Sequence, residues 1–407
     1  MTSESSAISA HSVLPRAAGV AREGAALRGL FVVNSLCVGG SETKTVRIVN
    51  ALQRHGVLAG IASLNEPGEL AAAIEPGIPV WHLHRRGKFS VSAVRTLRHL
   101  IREQRPSVVL SVNLYPALYV SLATLSLAAR PRTVGMMNTT DFARRDAWRP
   151  SFYRPFLRRL DAIVYGCELQ RVAWRSHLSS MNERSTVIYN GVDTEHFLPN
   201  SDEAQRTSAK MQFGISPHAF VVGSVGRLAP EKNQAVLIDA VAELRSRSLD
   251  AHLLLVGEGT MRSELQRRAE ERGIRHHVAF AGMQRDVRPA LSAMDVFVLP
   301  STHIETFSNA ALEAMAMCKP VVLSRIGGAV EMVREGMDGV TLDTTSLATS
   351  LPSLLARLQA DRAWREGLGQ AARIRVIQRF SLHTMVERYA SLMNSDLELG
   401  LTSSGQS

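Results

Sequence analysis

Cysteine is scarce, three residues in 407, and Cys37, Cys167 and Cys318 lie far apart. Such spacing supports neither a disulfide framework nor a CxxC zinc site, and it fits a reducing compartment. The 13 histidines fall into no metal-ligand spacing, and no acidic DxD cluster offers itself to a divalent ion. Aromatics make up only 5% of residues and no recognition motif accompanies the arginines, so nucleic acid is not the expected partner. Long apolar runs are missing as well. The stretch most open to reading as a membrane span, Ser107 to Ala129, contains Asn113 and Pro116. It divides into a strand, SVVLSVN, and a helix entered at Pro116. Residues 1–27 hold no apolar segment long enough for a secretory signal and read as a loose tail, as do residues 397–407.

What is present is core material. Hydrophobic residues reach 45% and the mean hydropathy is −0.01, the balance of a soluble globular protein, and the length suggests two domains. Short apolar runs of strand type alternate with helical patterns in both halves. LFVVNSL, GIASL, PVWHL, SVVLSVN, TVGMMN and AIVYGC fall in the first; FVVGSVG, HLLLVGEG, VAFAGM, DVFVLPST and PVVLSRIGG fall in the second. This alternation predicts an α/β fold of two doubly wound parallel sheets. The expected division is a first domain over 28–198, a polar linker over 199–216, a second domain over 217–378 and a closing helix over 379–396.

The charge is lopsided. Of the net +10, all is carried between Arg28 and Glu195, which hold 22 basic and 12 acidic residues; the remainder holds 25 of each. Much of the excess lies in HRRGKFSVSAVRTLRHLIREQR and RRDAWRPSFYRPFLRRLD. A solvated helix face is one reading. Attraction to anionic lipid head groups at the cytoplasmic membrane face, or to an anionic acceptor, is the sharper one.

In doubly wound sheets ligands bind beyond the carboxyl ends of the strands, and the unusual residues cluster there. Gly39 and Gly40 follow the first strand; Gly226 and Arg227 follow the first strand of the second half. In GRLAPEKN, Arg227 and Lys232 are brought onto one loop, a pairing suited to a diphosphate. In ETFSNAALEAM, Glu305 precedes a helix start at Phe307, Ser308 and Asn309, whose unpaired N–H groups suit an anion. Glu313 lies further along that helix. Carboxylates accept hydrogen bonds from vicinal hydroxyls, so a sugar nucleotide, a diphosphate between a ribose and a hexose, would satisfy the whole set.

These motifs resemble the retaining family 4 glycosyltransferases. Seven elements occur in family order: VGGSE, VIYNGVDTEHF, GRLAPEKN, LLLVGEG, VAFAGMQRDV, the Glu305-x7-Glu313 element and GGAVEMVREGMDG. The C-terminal RFSLHTMVERYASLM resembles the family's helix that crosses back onto the first domain. The resemblance implies the GT-B architecture of two facing Rossmann-like domains. It also implies metal-independent transfer of a sugar from a nucleotide diphosphate donor, with no cofactor, to a glycan or lipid-linked acceptor. It assigns Arg227 and Lys232 to the diphosphate, Glu313 to the ribose and Glu305 to the transferred sugar. Backbone around Phe307, Ser308 and Asn309 would meet sugar and phosphates, Gly39 and Gly40 would allow close approach, and Met283 would border the base.

Two positions depart from the family pattern. Asn138 stands where many relatives carry a histidine near the transferred sugar, and Thr306 stands where many carry glycine. The loss of a titratable group at Asn138 leaves a catalytically weak scaffold as one alternative. A sugar-nucleotide epimerase is another. A nicotinamide enzyme fits less well, because VGGSET lacks the GxGxxG spacing.

Overall fold

The computed structural model describes residues 28–138, 149–175, 178, 183–199, 202–303 and 305–394. In the first half, β1 (Gly29–Val33), β2 (Ala59–Ser63), β3 (Val80–His82), β4 (Val108–Val112), β5 (Arg132–Met137), β6 (Ala162–Tyr165) and β7 (Ser185–Val187) form one parallel sheet. Its order is β3-β2-β1-β4-β5-β6-β7. In the second half, β8 (Phe220–Val225), β9 (Ala251–Val256), β10 (Val278–Gly282), β11 (Val296–Leu299), β12 (Val321–Ser324) and β13 (Val340–Leu342) form a parallel sheet ordered β10-β9-β8-β11-β12-β13. Helices cover both faces, so the central strands are buried on both sides and read as unbroken apolar runs. The expected α/β, GT-B-type architecture of two doubly wound parallel sheets is what the chain adopts. The edge strands β7 and β13 escape sequence reading, because neither three-residue strand lies in a longer apolar run.

In each sheet the strand order reverses beside the first strand, between β1 and β4 and between β8 and β11. Such reversals open a crevice at the carboxyl edge, and the helices that matter start or pack there. They are α1 (Gly40–Arg54), α2 (Leu114–Ala123), α3 (Glu168–Arg175), α4 (Asn309–Ala316) and α5 (Leu382–Asn394).

Helix α2 begins two residues before the expected Pro116, which lies in its first turn. Pro116, Ala117, Leu118, Tyr119 and Val120 are all buried, which explains the absence of charge without a membrane. Among the described residues no helix is long and apolar enough to cross one.

The polar segment expected to link the halves is more than a connection. It forms a helix, Glu203–Gln212, capped by Asp202. Its Lys210 Nζ binds Asp295 Oδ2 at 2.9 Å and the Ala219 carbonyl at 2.8 Å. At the far end, the chain returns past Val192, whose N–H donates to the Phe380 carbonyl and whose carbonyl accepts from Leu382. Helix α5 then packs Met385, Val386 and Tyr389 against Phe31, Ile48 and Leu52 of the first half.

Candidate active site

The second half supplies the denser part of the site. After β8 the chain turns through Gly226, at φ +155°, into Arg227 and the short turn Pro230–Lys232. Lys232 Nζ forms a short ion pair with Glu305 Oε2, which also accepts from Ser301 Oγ at 3.3 Å. The sequence assigns these two charges to different parts of one ligand. The structure holds them on each other. Arg227 does not join them: its guanidinium binds Glu231 at 2.8 Å, and its side chain is 72% exposed.

The loop carrying Glu305 is held by a pair of glycines. A Cβ on Gly327, which sits at φ +52°, would lie 1.6 Å from the Glu305 carbonyl oxygen, and the Gly328 N–H donates to the Thr306 carbonyl at 2.7 Å. No other residue type fits such a close approach. A small recess follows, lined by Ser301, Glu305, Thr306, Ser308, Ser324 and Ile326.

Helix α4 opens beside this recess. Ser308 caps it, its Oγ accepting from the Ala311 N–H at 3.2 Å. Phe307 is buried, its ring against Tyr189 and Phe380 with centroids 5.1 Å from each. Asn190, from the NGVD motif, donates to the Phe307 carbonyl at 2.8 Å and to Asn309 Oδ1 at 3.0 Å. Phe307 is thus a packing residue that fixes the helix mouth.

Glu313, deep in α4, meets the first half directly. Arg47 Nη2 of α1 donates to Glu313 Oε1 at 2.9 Å. Burial pushes the Glu313 pKa up; the Arg47 charge, and more weakly His196, oppose it.

The first half contributes its own carboxyl edge. Gly39 is crowded, with Glu42 Oε2 2.5 Å from where its Cβ would be, whereas a Cβ on Gly40 would meet nothing within 4 Å. Asn113 ties the edge together, donating to Ser41 Oγ at 3.2 Å and accepting from the Asn138 N–H at 3.0 Å. The Asn138 amide nitrogen is buried with no partner among the described residues. Its carbonyl accepts from Thr306 Oγ1 at 3.2 Å, so the two positions that depart from the family pattern touch across the halves.

Met283 is remote from this cluster. It follows β10 at the sheet edge and is 71% exposed.

Four residues given no role by sequence reasoning stand out. Arg47 and Asn190 are described above. Glu331, within GGAVEMV, accepts from the Glu168 and Leu169 N–H groups at the start of α3 and from the Tyr189 hydroxyl, each at 2.8 Å. Lys44 on α1 is 6% exposed and has no hydrogen bond or ion pair among the described residues. Burial lowers its pKa to about 8, with the Cys167 thiol acting weakly the other way.

Two family models match the chain in series. Glycosyltransferase Family 4 matches residues 38–196, and Glycosyl transferases group 1 matches residues 219–359. This chain belongs to the group 1 glycosyltransferases. The glycosyltransferase class expected from the motifs is the one these models match.

Among the relatives of this glycosyltransferase is the GDP-mannose-dependent alpha-(1-6)-phosphatidylinositol monomannoside mannosyltransferase of Mycolicibacterium smegmatis. It is 35% identical over 216 residues, which is 51% of this chain and only 56% of that one. The lipopolysaccharide core biosynthesis glycosyltransferase LpsE of Rhizobium meliloti is 28% identical over 370 residues, covering 88% and 96% of the two chains. Among solved structures, Anabaena Alr3699/HepE in complex with UDP superposes with a TM-score of 0.80 at 22% identity, over 90% of this chain and 99% of that one. That likeness is one of fold.

Proposed function

We propose that this glycosyltransferase moves a sugar from a nucleotide diphosphate donor to a lipid-linked or polysaccharide acceptor of the cell envelope. Transfer proceeds with retention of anomeric configuration and without a metal ion. One observation carries the reading: Lys232 and Glu305 lie side by side before the mouth of α4. A cation and a helix N-terminus suit the diphosphate, and the adjacent carboxylate suits the hydroxyls of the transferred sugar.

Each side chain then has a task. The donor's diphosphate draws Lys232 from Glu305 and takes Arg227 from Glu231. Backbone at Phe307, Ser308 and Asn309 meets the sugar and phosphates, Gly39 and Gly40 admit them from the first half, and Glu313 receives the ribose. Gly226 lets the Arg227 loop turn, Met283 borders the base, and Asn138 stands on the acceptor side as a hydrogen-bond donor that cannot titrate. Charge on the departing diphosphate is stabilised by Lys232, Arg227 and the helix mouth. A phosphate oxygen of the leaving group takes the acceptor's proton, since no side chain among the described residues is placed here as a general base. The relatives named for phosphatidylinositol mannoside and lipopolysaccharide core synthesis support an envelope acceptor.

The test is a donor screen followed by one substitution. A nucleotide sugar present at a hundred times its Kd stabilises the protein by about 2.7 kcal/mol. Lys232→Ala should then lower kcat roughly a hundredfold, about 3 kcal/mol in the barrier. An unchanged rate in that variant would remove the diphosphate role of Lys232.

A membrane contact belongs to the same proposal. The helices Val91–Gln104 and Arg149–Leu157 both pack against α2. Beside them Arg86, Lys88, Arg154 and Arg158 are exposed, together with the large apolar side chains Phe89 and Phe152. Basic residues interleaved with exposed aromatics suit an anionic lipid surface on the cytoplasmic side.

A further inference from the structure

The Arg47–Glu313 pair joins residues 266 positions apart, one from each half. A purely structural arginine–carboxylate pair gains most by engaging both oxygens at once. Here only Oε1 is engaged. Oε2 carries no hydrogen bond among the described residues, and it is not among the polar atoms sealed from solvent without a partner. One oxygen is anchored and the other is left to accept.

We infer that Arg47 is a positioning residue of the donor site, holding one oxygen of the Glu313 carboxylate so that the other faces the ribose diol. This rests on the proposed role of Glu313. A carboxylate this deep accepts well only if it is ionised and fixed in direction, and a cation on one oxygen provides both. The arrangement also makes the ribose subsite a joint product of the two halves: the acceptor atom comes from α4 and its anchor from α1. The charged groups acting on Glu313 are Arg47 from α1 and, more weakly, His196.

The experiment compares UDP and GDP with their 2′,3′-dideoxy counterparts on the full chain. With the wild type, the better-bound ribonucleotide should exceed its dideoxy form by roughly ten- to a hundredfold, the range of one or two charge-assisted hydrogen bonds. Arg47→Gln should erase most of that preference, and Arg47→Lys should keep part of it. Arg47→Gln should also raise KM for the donor while kcat changes little. The loss of ribonucleotide affinity on acidification should begin at a higher pH in Arg47→Gln, because the raised pKa of Glu313 loses its opposing charge. Equal weakening of ribo and dideoxy forms would reduce Arg47 to packing and overturn the inference. Tighter binding in Arg47→Gln would overturn it too, by showing that Arg47 blocks the site. Glu313→Gln separates the layers. Full retention of the ribose preference there would remove the role of Glu313 and this inference with it. Its loss there but not in Arg47→Gln would remove Arg47 alone.

Discussion

Lys44 is costly to keep charged. It is buried and has no partner among the described residues, and burial lowers its pKa from the ordinary 10.5 to about 8. The folded state therefore binds this proton less tightly than the unfolded chain does. Below pH 8 the full penalty of a buried ammonium is present; it fades between pH 8 and 10.5 and is absent above. Lys44→Met should stabilise the protein at pH 7 by on the order of 3 kcal/mol, and the gain should vanish near pH 10.5. Melting curves of both proteins across that range check it. A destabilised variant at pH 7 would mean that the ammonium finds compensation in the fold. At the same scale, the charges expected to serve the ligand are already paired: Lys232 with Glu305, Arg227 with Glu231 and Glu313 with Arg47. Buried or half-buried charges such as Lys232, Glu305 and Glu313 seldom stand unpaired.

Elements are terminated across the halves as well as within them. The N-terminus of α3 belongs to the first half, yet its cap is Glu331 from the second, whose carboxylate takes two backbone N–H groups and the Tyr189 hydroxyl. Removing that carboxylate uncaps a helix and leaves the half-buried Glu168 N–H and Tyr189 hydroxyl unpaired. Glu331→Ala should cost about 2–4 kcal/mol in denaturant unfolding. Glu331→Gln, which keeps one acceptor, should lose less. A cost below about 0.5 kcal/mol for the alanine variant would refute the cap. The motif GGAVEMV was visible in the sequence, but the role of its glutamate was not. A cap contributed from 162 residues away leaves no local signature. The start of α1 is similar: it begins at Gly40 with no side-chain cap to mark it.

On the scale of the whole molecule, the basic excess of the first half is not a uniform coat. Some of it is structural: Arg98 donates to the carbonyls of Leu122, Ala123 and Leu125 at the end of α2, and Arg85 stacks on Tyr115. The exposed remainder beside Phe89 and Phe152 predicts flotation with anionic liposomes at low salt, lost when Arg154 and Arg158 become glutamate. No flotation of the wild type would remove the membrane contact. The amino-acid sequence alone determined the two parallel sheets, because strands buried on both faces are unbroken apolar runs and the helices between them carry their own period. It also marked Lys232 and Glu305, which stand in loops where a strand gives way to a helix, and Glu313, which the Glu305-x7-Glu313 element picked out. Only the tertiary structure decided which charges meet. Those pairings span 73 and 266 residues, and contact over such distances follows from how two separately patterned halves pack, which no local period encodes.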